Sequence, residues 1–320
     1  MPHLTTTSEA EISVYSRFTY PAVRIILGLV ATLLWGSAFP MVKMGYQALA
    51  IDHSQTFREL LFAGYRFSCA GAFLLILSTI WQRQTWHFSR DKLIRIIKVG
   101  SFQTLLQYIF FYLGLALTTG ISSAIVSSSS TFFQLIIAHF LFSDDRLNRR
   151  TIGSALIGFC GIAFYHVMAH GWRLHLGTGE ALMLIAMFFG AYGNILSKRN
   201  ISTHLPVLML TAWQMFLGGI CLITIGASQV GLAPFQWSVS ATLIFIYLSA
   251  ISAFAFLIWN TLMAHNQVGE ISIFLFLIPI FGVTLSALVL HEPLHNYVLI
   301  ALALVVIGII LANRSEKTKG

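Results

Sequence analysis

Ten stretches of this 320-residue chain run for roughly 20 residues with few or no charges, and that pattern constrains the fold before anything else is considered. A helix needs about 20 apolar residues to cross the hydrocarbon of a bilayer. The stretches lie at about 24–46, 60–81, 95–117, 121–142, 151–170, 179–197, 205–226, 239–262, 270–290 and 294–312. Inside hydrocarbon each backbone N–H and C=O must be satisfied by protein, which leaves helices or closed barrels. The alternating pattern of barrel strands is absent. The chain therefore reads as an all-α polytopic membrane protein of ten transmembrane helices. Composition agrees: 57% of residues are hydrophobic and 9% charged, against about 25% charged in a soluble domain.

The net charge of +8 does not indicate nucleic acid, because the cations fall in short gaps between apolar runs and not on one face. Their distribution sets the orientation. With the N-terminus inside, inner segments hold fifteen Lys and Arg, and outer loops hold Arg58 and Arg173. The positive-inside rule then puts both termini in the cytoplasm of an inner-membrane protein. The N-terminal residues are polar and include Glu9 and Glu11, unlike the basic start of a secretory signal. Cys69, Cys160 and Cys221 all lie in apolar runs and read as small hydrophobes, with no disulfide and no metal.

Five helices per half would insert a duplicated half in the opposite orientation. Four pairings in order support such a repeat. Ala31–Lys43 aligns with Ala186–Lys198, Tyr65-Arg66 and Gly71 with Trp213-Gln214 and Gly219, Asp145-Arg146-Leu147 with Glu292-Pro293-Leu294, and Gly161-Ile162 with Gly308-Ile309. The expected organisation is a tail at 1–23, repeats at 24–170 and 178–312, and a tail at 313–320. The two repeats form one folded unit.

Trp35-Gly36 through Phe39 with Lys43, and Tyr65-Arg66-Phe67, resemble the drug/metabolite transporter superfamily. Ser128–Phe133 leading to Asp145-Arg146-Leu147, and Pro279 leading to His291-Glu292-Pro293, resemble its EamA-type repeat. The resemblance spans residues 24 to 312. It implies two inverted five-helix repeats, a central cavity, and export of amino acids or related metabolites by alternating access. The second repeat departs from the first, with Gly190-Ala191 where Trp35-Gly36 stands and Gln214 in place of Arg66.

An ionisable group within a membrane segment costs at least about 2.5–3.5 kcal/mol, so it faces a cavity or a partner. Lys43 and Arg66 are expected at similar depth in the outer third, where each either ties helix ends and snorkels or serves an outer gate or carboxylate contact. Lys198 ends the sixth helix at the inner face, as positive-inside placement requires. Gln103 and Gln107 share one face of the third helix. They either line the cavity or bond another helix. Ser127 to Thr131 with Gln134 make the fourth helix polar at depth, suited to close packing or to cavity lining, with Ser128 and Thr131 the candidates. Asn194, Asn260, Gln214 and Tyr192 join the candidates. Trp35 and Trp213 sit deeper than the interfacial belt, where a ring with one N–H donor either packs or recognises an organic solute. Pro40 and Pro279 remove backbone bonds from the first and ninth helices and are candidate hinges.

His166 and His170 have metal-pair spacing but no third ligand nearby. His291-Glu292 lacks the second His of a zinc-protease motif. No cofactor is expected. A membrane enzyme acting on lipid-linked head groups would need clustered acids and a metal, of which Asp144-Asp145 with Arg146, Arg149 and Arg150 is the nearest approach. A non-transporting scaffold has no use for prolines and amides at mid-depth. No carboxylate is read at mid-membrane, since Glu180, Glu270 and Glu292 sit at helix ends. The chain is then a facilitator, or its proton coupling runs through His139.

Overall fold

The computed structural model describes residues 17–52, 54–82, 89–143, 149–170, 177–201, 205–293 and 296–313. The Asp144–Arg146 stretch, most of the two tails and the side chains of His166 and His170 lie outside the described residues. Eight helical stretches are long and apolar enough to cross a membrane, and two shorter apolar helices complete the order. The first half holds α1 (Pro21–Ala48), α2 (Thr56–Gln82), α3 (Arg90–Gly100), α4 (Gln107–Ala116), α5 (Gly120–Ser127), α6 (Ser129–Leu141) and α7 (Arg149–His170). The second holds α8 (Thr178–Ile201), α9 (Val207–Val230), α10 (Val239–His265), α11 (Val268–Ser272), α12 (Leu277–Leu290) and α13 (Asn296–Asn313).

The burial pattern is that of a protein solvated by lipid. Ile80, Phe140 and Val239 are exposed, while Gln103, Gln134, Gln214 and Asn260 are fully buried. The three cysteines are free, and they face outwards where the sequence suggested burial. Polar side chains turn inward because hydrocarbon offers them no hydrogen bond.

Each helix finds its main partner in the other half. α2 packs along α9, α7 along α13, α1 against α10 and α12, and α8 against α4 and α6. These are the exchanges expected of two inverted five-segment repeats. Small residues set the α2–α9 distance: a Cβ on Gly64 would lie 2.5 Å from the Ile223 amide nitrogen, and one on Gly71 would lie 2.5 Å from that of Phe216. Helices in lipid associate by such close backbone approach, since apolar burial supplies no drive between them.

Three crossings are interrupted. A π-helical segment, Ser101–Leu106, joins α3 to α4, and the Gln107 N–H reaches back to the Phe102 carbonyl. The fourth crossing breaks at Ser128, between α5 and α6. There the Ser127 hydroxyl donates to the Ala124 carbonyl and the Ser128 hydroxyl to the Ile125 carbonyl, both at 2.6 Å, competing with the helical ladder. The ninth crossing passes through a 3-10 turn, Ile273–Phe276, between α11 and α12. Pro279 has no N–H for the Leu275 carbonyl one turn back, so the ladder loosens at this turn. Pro40, by contrast, lies inside the continuous α1.

α2 begins at Thr56, about one turn before the expected boundary. That extension makes Glu59 part of the first turn of the helix and buries it to 1% exposure, an acid that the expected boundary at residue 60 left outside the crossing. It also brings Arg66 close to the middle of α2, while Lys43 stays near the end of α1.

Replacing Gly64 by Val should lower stability by about 1–3 kcal/mol through overpacking against the α9 backbone. Cys69→Ala, on the lipid-facing side of the same helix, should change it by less than about 0.5 kcal/mol. Thermal unfolding of the detergent-purified pair measures the difference.

Candidate functional site

The interrupted crossings meet around a central cavity lined by Trp35, Ala38 and Phe39 of α1, Arg66 of α2, and Gln107, Tyr108 and Phe111 of α4. Ser127 and Ser130 from the break of the fourth crossing, Met187, Gly190 and Asn194 of α8, Phe256 of α10, Leu275 and Ile278 complete the wall. The space open to the centre of a water molecule is about 70 Å³, room for several waters.

Arg66 is the lone charged side chain in this wall. It is 1% exposed. Its Nε donates to the Leu248 carbonyl at 3.0 Å and the Ser252 hydroxyl at 2.7 Å, and Nη1 donates to the Tyr112 hydroxyl at 2.9 Å. Its guanidinium carbon lies 5.0 Å from the centroid of the Phe67 ring. All of these partners are neutral, and among the described residues no carboxylate forms an ion pair with it. Two further groups of the wall are incompletely answered: Gln107 Oε1 and Trp35 Nε1 are buried without a hydrogen-bond partner. The site thus offers a cation, an acceptor and a donor among aromatic rings. The Trp35 ring packs edge-on to Phe256 and tilted against Trp259, each at 5.2 Å between centroids, which fixes it in place.

Below the cavity lies a buried amide layer. Gln103 Nε2, in the π-helical segment, donates to Asn194 Oδ1 at 2.6 Å and Asn260 Oδ1 at 3.2 Å. Asn260 in turn donates to the Thr211 hydroxyl at 2.9 Å. Thr104 donates to Gln214 Oε1 at 2.5 Å. The two broken crossings are tied at their breaks, with the Thr131 hydroxyl donating to the Ser272 carbonyl at 3.2 Å and the Ser272 hydroxyl to Gln134 Oε1 at 2.9 Å.

The structure therefore sorts the candidates. Trp35, Arg66, Gln107 and Asn194 line the cavity. Gln103, Asn260, Gln214, Thr131 and Gln134 hold helices together behind it, and the Ser128 hydroxyl bonds its own helix. Tyr192 packs edge-on to Phe102 at 4.8 Å, and Trp213 belongs to a separate apolar cluster with Ile96, Val99 and Met209. His139 is half-buried in the last turn of α6, away from the cavity. Pro40 and Pro279 are both buried, in α1 and at the start of α12. Ser127 and Ser130 come from the polar stretch at 127–131, whereas Tyr108, Phe111, Met187 and Phe256 carry no polar signal that singles them out in the sequence. Helical spacing from the named candidates points to several of them, since Phe111 follows Gln107 by one turn and Met187 precedes Asn194 by two.

Both ends of the bundle are fastened. At the end carrying the termini, Arg24 pairs with Glu270 at 2.5 Å, and Lys198 donates to the Asn266 carbonyl at 2.5 Å. At the opposite, distal end, the link between α4 and α5 is gripped from three sides. Lys43 Nζ donates to the Thr118 carbonyl at 2.8 Å, Glu180 accepts from Thr118 and Ser122, and Glu292 accepts from the Gly120 N–H. Among the described residues no group of three or more His, Cys, Asp and Glu side chains has a metal-binding arrangement.

A sequence profile described as the EamA-like transporter family matches residues 23–166 and again 177–314. The chain belongs to that family. The double match agrees with two repeats, and the family and its relatives are transporters, not enzymes. A protein named uncharacterized transporter YvbV from Bacillus subtilis is 25% identical over 299 residues, covering 90% of each chain. Proteins named probable amino-acid metabolite efflux pumps, from Escherichia coli and Salmonella typhimurium, are each 23% identical over 89% and 88% of this chain and 92% of their own. One crystal structure superposes with a TM-score of 0.69 over 90% of this chain and 96% of its own, at 18% identity, which shows the shared fold. In this EamA-like transporter, multi-pass insertion in the bilayer and a small-molecule substrate follow from the family.

Gly190 leaves room for the Gln107 amide, for a Cβ there would lie 2.6 Å from its carboxamide carbon. Gly190→Ala should swing that amide out of the wall and raise the transport KM roughly three- to tenfold, the worth of about one hydrogen bond. Adding Gln107→Ala should bring no further loss, as read from KM of the single and double variants.

Proposed function

We propose that this EamA-like transporter exports small carboxylate-bearing metabolites, amino acids and their relatives, by alternating access around the central cavity. The observation that carries the reading is Arg66, a buried guanidinium facing the cavity with neutral hydrogen-bond partners only. A charge held in a medium of low dielectric without a counter-ion is costly. A substrate carboxylate relieves that cost through charge-assisted, two-pronged hydrogen bonding. Gln107 Oε1 supplies an acceptor for an ammonium or hydroxyl, and Trp35 with Phe39, Phe111 and Phe256 supplies a wall for an apolar side chain. The efflux-pump names of the Escherichia coli and Salmonella relatives favour amino-acid-like substrates and outward flux.

Alternating access requires the walls of this cavity to part towards each side in turn. The repeats 24–170 and 178–312 are the bodies that rock, and the breaks at Ser128 and at Ile273–Phe276 with its neighbouring Pro279 are where the crossings give. Discontinuous helices at the interface of inverted repeats serve transporters in this way. The Arg24–Glu270 end is the cytoplasmic gate, because basic segments flank it, and the Lys43–Thr118 end is the external one. Gln103, Asn260 and Gln214 keep the amide layer in register as the halves move.

Proteoliposomes challenged with a panel of radiolabelled amino acids and their decarboxylated amines test the reading. Transport of the acids and not of the amines is expected. Arg66→Gln should reduce kcat/KM for the transported acids by about 10- to 100-fold, the range for a lost charged hydrogen bond, with Arg66→Lys falling between. Equal flux of acids and amines would overturn the carboxylate reading. Protection of overexpressing cells against toxic amino-acid analogues reports the outward direction.

A further inference from the structure

Glu59 has no role in the cavity described above, and its setting is unusual. It is 1% exposed, in the first turn of α2, and its Oε1 is buried without a hydrogen-bond partner. The groups facing it come from two other helices. Lys43 and Tyr46 on α1 and Tyr112 on α4 all lie within electrostatic reach of its carboxylate. Lys43 spends a hydrogen bond on the Thr118 carbonyl and does not form an ion pair with Glu59. α9 approaches this turn where Gly226 packs on Phe57 and Leu61, and the described length of α9 carries no acid, lysine, arginine or histidine. On α10, Tyr247 is engaged with Ser37 at 2.7 Å, and His265 lies in the last turn at the end carrying the termini.

Arg66 stands seven residues on from Glu59, two turns along the same face of α2 and roughly 10 Å away along the axis. Tyr112 bridges the gap: its hydroxyl accepts from Arg66 Nη1 at 2.9 Å, and its ring sits 6.1 Å from that of Tyr46. An open depression lined by Leu49, Ala50, Arg58 and Trp237 reaches Arg58, the residue before Glu59 in the first turn of α2.

We propose that Glu59 is a proton-binding site coupled through charge to Arg66, so that the transporter takes up a proton at Glu59 as a substrate carboxylate reaches Arg66. This rests on the carboxylate reading of Arg66 for its second half only. The proton comes from water at the distal mouth, is held on the unpartnered Oε1, and returns there when the carboxylate leaves; no bond other than O–H is made or broken. The sign follows from Coulomb's law. While Arg66 is unneutralised its positive field favours the ionised Glu59. A carboxylate on Arg66 cancels that field, and the acid binds its proton more tightly. For unit charges roughly 10 Å apart at an effective dielectric near 20, the change in proton affinity is about tenfold. Reciprocity requires the protonated carrier to bind the carboxylate tighter by the same factor.

The first half can be tested without knowing the substrate, since Arg66→Gln imitates a neutralised Arg66. Infrared difference spectra of the full-length protein in lipid, recorded across about pH 4 to pH 10, follow the carbonyl band of buried protonated carboxyls. A titrating band that is lost in Glu59→Gln is expected. Its midpoint should move up by about one pH unit in Arg66→Gln and stay in place in Arg66→Lys, which keeps the charge. If Glu59→Gln does not fold, the same midpoint shift with Glu59 intact, together with a downward shift in a variant that adds positive charge nearby, Tyr46→Lys, decides the matter. A Glu59-dependent band that ignores Arg66→Gln, or no such band at any pH, overturns the proposal. These spectra stand apart from the acid-versus-amine panel: loss of acid selectivity there leaves the Glu59–Arg66 coupling standing or falling on the spectra alone.

Discussion

Hydrocarbon forms no hydrogen bonds, and every feature of this structure that concerns function is an answer to that fact. A polar atom in a crossing must be met by protein, by water or by a ligand, because leaving it unmet costs on the order of kilocalories. Most of the deep polar groups here are met by protein. Gln103, Asn194, Asn260 and Thr211 answer one another across four helices, and Thr104 answers Gln214. Others are not fully met, among them Glu59 Oε1, Gln103 Oε1, Gln134 Nε2, Gln214 Nε2 and the ring N–H groups of Trp213 and Trp259. Of these unmet groups Gln107 Oε1 and Trp35 Nε1 stand on the cavity beside the Arg66 charge, and a cation, an acceptor and a donor on one open space are the physical basis for proposing a substrate there.

The same constraint explains where the helices break. An interrupted crossing frees backbone carbonyls and amides, which lipid cannot satisfy, so breaks are confined to places where other helices can. The Ser128 break and the Ile273–Phe276 turn satisfy each other through Thr131, Ser272 and Gln134. These are the fourth crossings of the two repeats, brought together where the halves meet. Each has its own chemical cause, hydroxyls that bond back to their own helix in one and a proline in the other. The interface between the halves is therefore the part of the bundle with the least intact helical ladder and the part with the most polar side chains, a combination suited to movement against a bound solute.

The ten crossings were readable because bilayer thickness imposes a length on apolar runs, and the repeat was readable from paired motifs such as Ala31–Lys43 with Ala186–Lys198. Depth was readable as well: nearly every polar residue singled out lies inside the protein. The face each one presents was harder to read, since depth along a helix does not fix azimuth. Trp213 and Trp35 both lie within apolar crossings, yet one packs with Ile96 and Met209 while the other lines the cavity. The π-helical segment at Ser101–Leu106 has no local signature, and it rotates Gln103 away from the register that a regular helix would share with Gln107. Glu59 was passed over for a simpler reason. Hydropathy places a boundary where apolar residues begin, whereas the helix starts a turn earlier and carries the acid inside.

The distal side of the first half joins these observations into one electrostatic unit. Lys43, Glu59 and Arg66 supply two positive charges and one negative charge along α1 and α2, with Tyr46 and Tyr112 between them. With Glu59 ionised and no carboxylate on Arg66, the trio carries one uncompensated positive charge. A substrate anion at Arg66 brings the sum to zero, and a proton on Glu59 would restore the excess. Which of these states is tolerated depends on how well the Thr118 carbonyl and the nearby Glu180 and Glu292 hold Lys43 and the α4–α5 link in place. The charge of Lys43 and the hold on the α4–α5 link draw on the same hydrogen bond, to the Thr118 carbonyl. On the proposed reading, a change of charge at Arg66 or Glu59 therefore acts on the group that fastens this link.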